Sequence, residues 1–142
     1  MILLDTSGLI AALFADQNQH EECARALLKA APPRILSPFV LAECDYLIQK
    51  YGGVEAELAF LDEVARGVYS IPHFGLTEMK EARGVVEKYR DLGIGLADAS
   101  IVVLAGDWAC RDVLTLDVRH FRALRPLGRR SFRVLPADLQ VS

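Results

Sequence analysis

Two short apolar runs, Ile2-Leu3-Leu4 and Val113-Leu114-Thr115-Leu116, each stop at an aspartate, Asp5 and Asp117. Successive strand residues face opposite sides of a sheet, so runs this apolar need cover on both faces. Between them lie longer stretches of helical periodicity. Residues 18–31 carry Cys23, Ala24, Leu27 and Leu28 at helical spacing, and Pro32-Pro33 stops the run. Ser37-Pro38 pairs a capping side chain with a proline at the first helical position. The helix it opens sets Val40, Cys44, Leu47, Ile48 and Tyr51 on one face and ends at Gly52-Gly53. A second amphipathic run, residues 54–66, presents Leu58, Leu61, Val64 and Ala65, and residues 76–89 read as another helix. Further strands are expected at Arg34-Ile35-Leu36, at Val68-Tyr69-Ser70-Ile71 before Pro72, and at Phe132-Arg133-Val134-Leu135 before Pro136. Short strands alternating with longer helices call for an α/β fold on a parallel sheet, joined by right-handed crossovers.

With 142 residues, 52% of them hydrophobic, the chain suits one domain spanning residues 1–142. No apolar stretch reaches the roughly 18 residues of a membrane span, and Asp5 comes too early for a secretory leader, so a cytoplasmic protein is expected. Cys23, Cys44 and Cys110 are odd in number and widely spaced, which fits buried reduced thiols better than disulfides or a zinc site. The net charge of −3 argues against indiscriminate coating of nucleic acid. Its distribution is uneven: Arg111, Arg119, Arg122, Arg125, Arg129, Arg130 and Arg133 face only Asp112 and Asp117 within the same segment. That segment suits contact with phosphates, Arg119 and Arg122 foremost, or else an ordinary solvated face.

Ligands of a parallel sheet bind beyond the carboxyl ends of its strands, where Asp5 and Asp117 both fall. Either alone reads equally well as a helix cap. Asp98 is more telling, because Leu96, Ala97, Ala99, Ile101, Val102, Val103 and Leu104 mark its helix as buried. An ionised carboxylate there must be neutralised, paired with a cation or bound to metal. The helix dipole helps by only about 0.3 to 1 kcal/mol, which leaves a structural arginine and a metal ion as the competing explanations. Glu43 borders the apolar face of its helix, a position that taken alone describes a solvated glutamate. Gathered together, these four acids would repel one another unless a hard divalent cation lay among them. Oxygen ligands favour Mg2+, with Mn2+ as a substitute, over zinc. Thr115, two residues before Asp117, is placed to hydrogen-bond a metal-bound water. His120 suits proton transfer or a structural hydrogen bond.

Four stretches taken together resemble the PIN-domain nucleases: Leu4-Asp5-Thr6-Ser7, Ser37-Pro38-Phe39-Val40-Leu41-Ala42-Glu43, Gly95-Leu96-Ala97-Asp98-Ala99-Ser100-Ile101 and Leu114-Thr115-Leu116-Asp117-Val118-Arg119-His120-Phe121. Their order, their spacing and the Leu-Asp-x-Arg-His-Phe ending are most similar to the VapC-type toxins of bacterial toxin-antitoxin pairs, over nearly the whole chain. The resemblance implies a three-layer α/β/α sandwich on a parallel sheet of four to five strands. It implies Mg2+-dependent endoribonuclease activity that inhibits translation, a homodimer, and a cognate VapB-type antitoxin. Asp5, Glu43, Asp98 and Asp117 match the family's catalytic, metal-binding acids, with Asp5 and Asp98 as direct ligands. One departure is Arg119-His120, where some relatives carry a further acid, which bears on a second metal position. The same resemblance leaves the target open among transfer, ribosomal and messenger RNA. It also leaves open a role in RNA maturation or a catalytically silent partner-binding domain. A haloacid dehalogenase-type phosphatase would need a second Asp where Ser7 stands.

Overall fold

The computed structural model describes residues 1–126 and 130–140. The elements run β1 (Ile2–Leu4), α1 (Thr6–Leu13), α2 (His20–Lys29), β2 (Arg34–Ile35), α3 (Pro38–Ala65), α4 (Leu76–Lys88), α5 (Leu96–Asp107), β3 (Asp112–Leu114), α6 (Val118–Ala123) and β4 (Arg133–Leu135). Short 3-10 turns cover Arg90–Leu92 and Ala137–Gln140.

The strands form one parallel sheet in the order β2-β1-β3-β4, with Leu3 opposite both Ile35 and Val113, and Val113 opposite Val134. Ile2, Leu3 and Leu4 are each no more than 1% exposed, so both faces of β1 are covered, as its unbroken apolar run requires. From β1 the chain crosses to β2 on one side, whereas β3 and β4 lie on the other. The direction of winding therefore reverses between β1 and β3, and a crevice opens beyond their carboxyl ends. Asp5 follows β1 and Asp117 follows β3, which brings the two acids to that crevice.

Gly8 sets how closely α1 approaches the sheet. A Cβ at this position would lie 2.3 Å from the carbonyl oxygen of Leu114, so any side chain would force the helix off β3. The same carbonyl accepts the Asp5 backbone N–H at 3.0 Å. Helix α5 is the buried element its composition announces, with every residue from Ala97 to Ala105 except Asp98 at or below 9% exposure.

Two expectations need correction, one strand and the apolar faces of some helices. The strand expected over residues 68–71 is a single parallel bridge between Ser70 and Ile35. It carries two backbone bonds, Leu36 N to Ser70 O and Ser70 N to Arg34 O, before Pro72, which has no N–H to extend the ladder. The two helices expected either side of Gly52-Gly53 are both present, as two halves of α3 separated by a non-helical Gly53 at φ 81 and ψ 177. Beyond that break the buried residue is Phe60, 6.1 Å from the Tyr69 ring, while Leu58, Leu61 and Ala65 face solvent. Tyr51, at the end of the first half, and Leu28 on α2 are exposed as well. The three cysteines are free and buried; burial pushes the thiols of Cys23 and Cys44 up to about 11 and about 12. Among the described residues no helix is long and apolar enough to cross a membrane.

Candidate active site

Asp5 is the N-terminal flanking residue of α1 and only 6% exposed. Its Oδ2 accepts hydrogen bonds from Thr115 Oγ1 at 2.6 Å and from Ser7 Oγ at 2.9 Å. Those hydroxyls in turn accept backbone amides: Leu116 N donates to Ser7 Oγ and Asp117 N to Thr115 Oγ1, both at 2.9 Å. Burial raises the Asp5 pKa, and the two hydroxyls and the Thr6 backbone work against that rise. Thr115 thus holds the carboxylate directly, a closer role than the water contact expected of it.

Thr6 reaches the other way. Its Oγ1 donates to Glu43 Oε1 at 2.7 Å, which draws an otherwise exposed glutamate of α3 towards the crevice. A buried hydroxyl chain fixes α3 against α5. Ser37 Oγ accepts from Phe39 N and meets Ser100 Oγ at 2.6 Å, while Ser100 Oγ donates to Ala97 O at 2.6 Å. Because Ser100 spends its one proton on Ala97, Ser37 is the donor between the two serines. The helix that carries Glu43 is thereby tied to the first turn of the helix that carries Asp98.

Asp98 sits in that first turn with 19% of its side chain exposed. Burial, followed by the negative charge of Asp5, pushes its carboxyl up to about 6; the His120 imidazole acts in the opposite direction. Asp117 caps α6 by accepting from His120 N at 3.3 Å. His120 Nδ1 lies 2.9 Å from Asp117 Oδ2 and 3.4 Å from Asp98 Oδ2, across both carboxylates but without a well-aligned hydrogen bond to either.

These side chains line one open pocket of about 400 Å3, bordered by Asp5, Thr6, Ser7, Glu43, Leu47, Gly93, Gly95, Ala97, Asp98, Asp117 and His120. All four acids expected at the site are therefore on its wall. Among the described residues none of them is within ion-pairing distance of a lysine or arginine, which removes the structural-arginine explanation of Asp98 there. Among the described residues no three His, Cys, Asp or Glu stand close enough together to hold a metal ion by themselves. The acids surround a space instead of converging on a point. This suits a hard cation that keeps several waters and takes one or two carboxylates directly.

The arginines are mostly engaged elsewhere. Arg122 grips Asp138 through both terminal nitrogens, at 2.9 and 2.6 Å, and Asp138 also accepts Val134 N at 2.7 Å. Its fork is thus committed to the C-terminal turn and is not presented to a phosphate. Arg133 pairs with Asp112, Arg111 donates to Ser131 O and Arg125 to backbone carbonyls. Arg119 is exposed beside Asp117 and has no such partner among the described residues; Arg129 lies outside them. Thr6 and Ser7 are the site residues that sequence reasoning missed. The available signal was a pair of hydroxyl residues following an acid at a strand end.

Comparison with known proteins agrees with this geometry. The PIN domain family matches residues 2–125. Ribonuclease VapC26 of Mycobacterium tuberculosis (strain ATCC 25618 / H37Rv) is 43% identical over 135 residues, covering 95% of this chain and 100% of the relative. In fold, the chain superposes with a TM-score of 0.77 on the crystal structure of M. tuberculosis VapC20, described as a sarcin-ricin loop cleaving toxin; 89% of this chain and 100% of that one are covered at 20% identity. The family match spans all four acidic stretches and the relative covers 95% of the chain, so the chain belongs to the PIN-domain family and, within it, to the VapC-type ribonucleases.

Proposed function

We propose that this protein is a Mg2+-dependent endoribonuclease, the toxin of a toxin-antitoxin pair, acting in the cytoplasm to inhibit translation by cutting RNA. One observation carries the reading: four carboxylates distant in sequence line a single pocket, and no lysine or arginine of the described residues balances them. The donor set is almost all oxygen, which fits Mg2+ or Mn2+. Asp5 and Asp98 would hold the ion, with Asp117 and Glu43 completing its surroundings. When bound, the ion supplies a water of lowered pKa and offsets the charge that develops on the phosphodiester.

The chain's own residues do the rest. Ser7 and Thr115 hold Asp5 in place and work against the rise in its pKa that burial causes, and Thr6 orients Glu43 towards the pocket. The first turn of α5 offers its dipole to the Asp98 carboxylate. Arg119, exposed two residues after Asp117 in sequence, is the candidate contact for the RNA backbone.

Further support for partners comes from the apolar surface beside the pocket. A cleft of about 360 Å3 lined by Ile10, Phe14, Leu47, Ile48 and Tyr51, among others, shares Leu47 with the acidic pocket, and Tyr46, Val54 and Leu58 lie exposed along the same helix. Apolar surface of this kind suits a second copy and a VapB-type antitoxin.

Asp98→Asn removes one charge at almost constant volume and tests the reading directly. RNA cleavage in Mg2+ should fall by more than about 100-fold while the fold is retained. Wild-type cleavage by the folded variant would overturn the assignment.

A further inference from the structure

Two hydroxyls meet one oxygen of Asp5, and the backbone determines how their protons point. Ser7 Oγ accepts Leu116 N, and Thr115 Oγ1 accepts Asp117 N. Each hydroxyl has one proton left to give. The two side-chain oxygens lie 3.2 Å apart, close enough to bond each other, but both have a nearer, charged acceptor in Asp5 Oδ2, at 2.9 and 2.6 Å. A charged acceptor at shorter range wins the proton, so both hydroxyls donate to Oδ2. The resulting chain, amide to hydroxyl to carboxylate, runs twice in parallel, and each link polarises the next. Thr115 is fully buried and Asp5 nearly so, which keeps water from competing.

We infer that Ser7 and Thr115 are positioning residues that saturate Oδ2 of Asp5 and leave Oδ1 as the single oxygen this residue offers to a divalent cation. The inference rests on the reading of the pocket as a metal site. Its physical content is that Asp5 binds monodentately. With Oδ2 already accepting two charge-assisted bonds, a cation approaching it would have to displace a hydroxyl whose backbone partner would then be left with a misplaced acceptor. Among the described residues no side chain donates to Oδ1, and Asp5 lines the pocket. The same pair joins the start of α1 to the loop after β3, so the position of Asp5 and the path of the chain into Asp117 are set together. A carboxylate held from behind in this way meets the ion already oriented.

The test is Mn2+ binding by the full chain, measured by calorimetry for wild type, Ser7→Ala, Thr115→Val and the hydroxyl-retaining Ser7→Thr and Thr115→Ser. Ser7→Ala and Thr115→Val should each weaken Mn2+ binding by about 10- to 100-fold. The conservative variants should restore it. If the folded Ser7→Ala and Thr115→Val proteins bind Mn2+ as wild type does, the inference is overturned, even when their thermal stability is lower, because that pattern describes a purely structural pair. A crystal structure of the wild-type chain with Mn2+ decides the matter without any variant. Coordination through Oδ1 alone, with both hydroxyls still on Oδ2, supports it; coordination through Oδ2 or through both oxygens overturns it. A wild-type chain that binds no Mn2+ would overturn the metal reading as well, so the two failures are distinguishable.

Discussion

The carboxyl of Asp98 is held at about 6 in the fold against an ordinary 3.8, mainly by burial and then by the charge of Asp5. In the metal-free protein the folded state therefore binds more protons than the unfolded chain between those two values. Stability from this group is fully present below the lower value and is lost as pH rises through the upper one. The loss is up to about 3 kcal/mol. Raising the pH of the metal-free protein from about 4 to about 7 should lower its midpoint of unfolding, and Mg2+ should restore it at the higher pH, as urea titrations with and without the ion would show. Apparent Mg2+ affinity should weaken below about pH 6, where ion and proton compete for the same carboxylate. An affinity flat across that range would contradict the assignment of Asp98. At this scale, Asp5, Asp98 and Asp117 were legible because each is an acid set among apolar residues, where a charge needs a reason. Glu43 was legible only through the family resemblance, since its flanking position suits solvent equally well. Thr6 and Ser7 escaped notice, because whether a hydroxyl caps a helix or grips a carboxylate depends on which strand passes in front of it.

Among the elements, α1 has the least freedom, and Gly8 is the reason. Gly8→Ala introduces a Cβ 2.3 Å from the Leu114 carbonyl oxygen. Because the obstacle is backbone, relief requires the helix to move away from β3, and overpacking of this kind costs about 1 to 3 kcal/mol. The movement would also draw Ser7 from Leu116 and shift Asp5 in the pocket. Gly8→Ala should thus lower both unfolding free energy and RNA cleavage, the latter by more than its loss of folded protein explains. Strands β1 and β3 and helix α5 were readable from sequence because burial on all sides leaves a continuous apolar record. The segment at residues 68–71 was over-read, since its β-branched and aromatic residues carry strand propensity although neighbouring Pro72 limits pairing to one bridge. The second half of α3 was read in the wrong phase. Gly53 resets the direction of the helix, and a periodicity counted through residues 54–66 cannot show which side then meets Tyr69.

Across the whole molecule, the sheet order places the reversal of winding between the two strands that lead into Asp5 and Asp117, so the architecture itself selects the site. The C-terminal turn closes the far edge through Arg122 and Asp138. The Arg122 guanidinium and a backbone amide from Val134 hold the Asp138 carboxyl down at about 2, so the clamp persists above the ordinary value of 3.8 and loosens as pH falls towards 2. Arg122 is half exposed, and a solvated pair of this kind contributes no more than about 1 kcal/mol. Arg122→Ala should therefore cost little stability, lose that little in high salt, and leave Mg2+ affinity unchanged; a large fall in RNA affinity would return Arg122 to the substrate surface. The sequence showed a basic C-terminal segment but could not show that several of its arginines close on their own loops, because Asp112 and Asp138 become their partners only after β3 and β4 pair.

The central claim is that the four acids act through a divalent ion, and the most direct measurement is RNA cleavage by the wild-type chain after dialysis against EDTA, followed as Mg2+ is added back. Cleavage should be absent without the ion, return in a saturable manner as it is added, and stay absent in Asp98→Asn at every concentration. Cleavage at the full rate in EDTA by protein freed of nuclease contaminants would contradict the account.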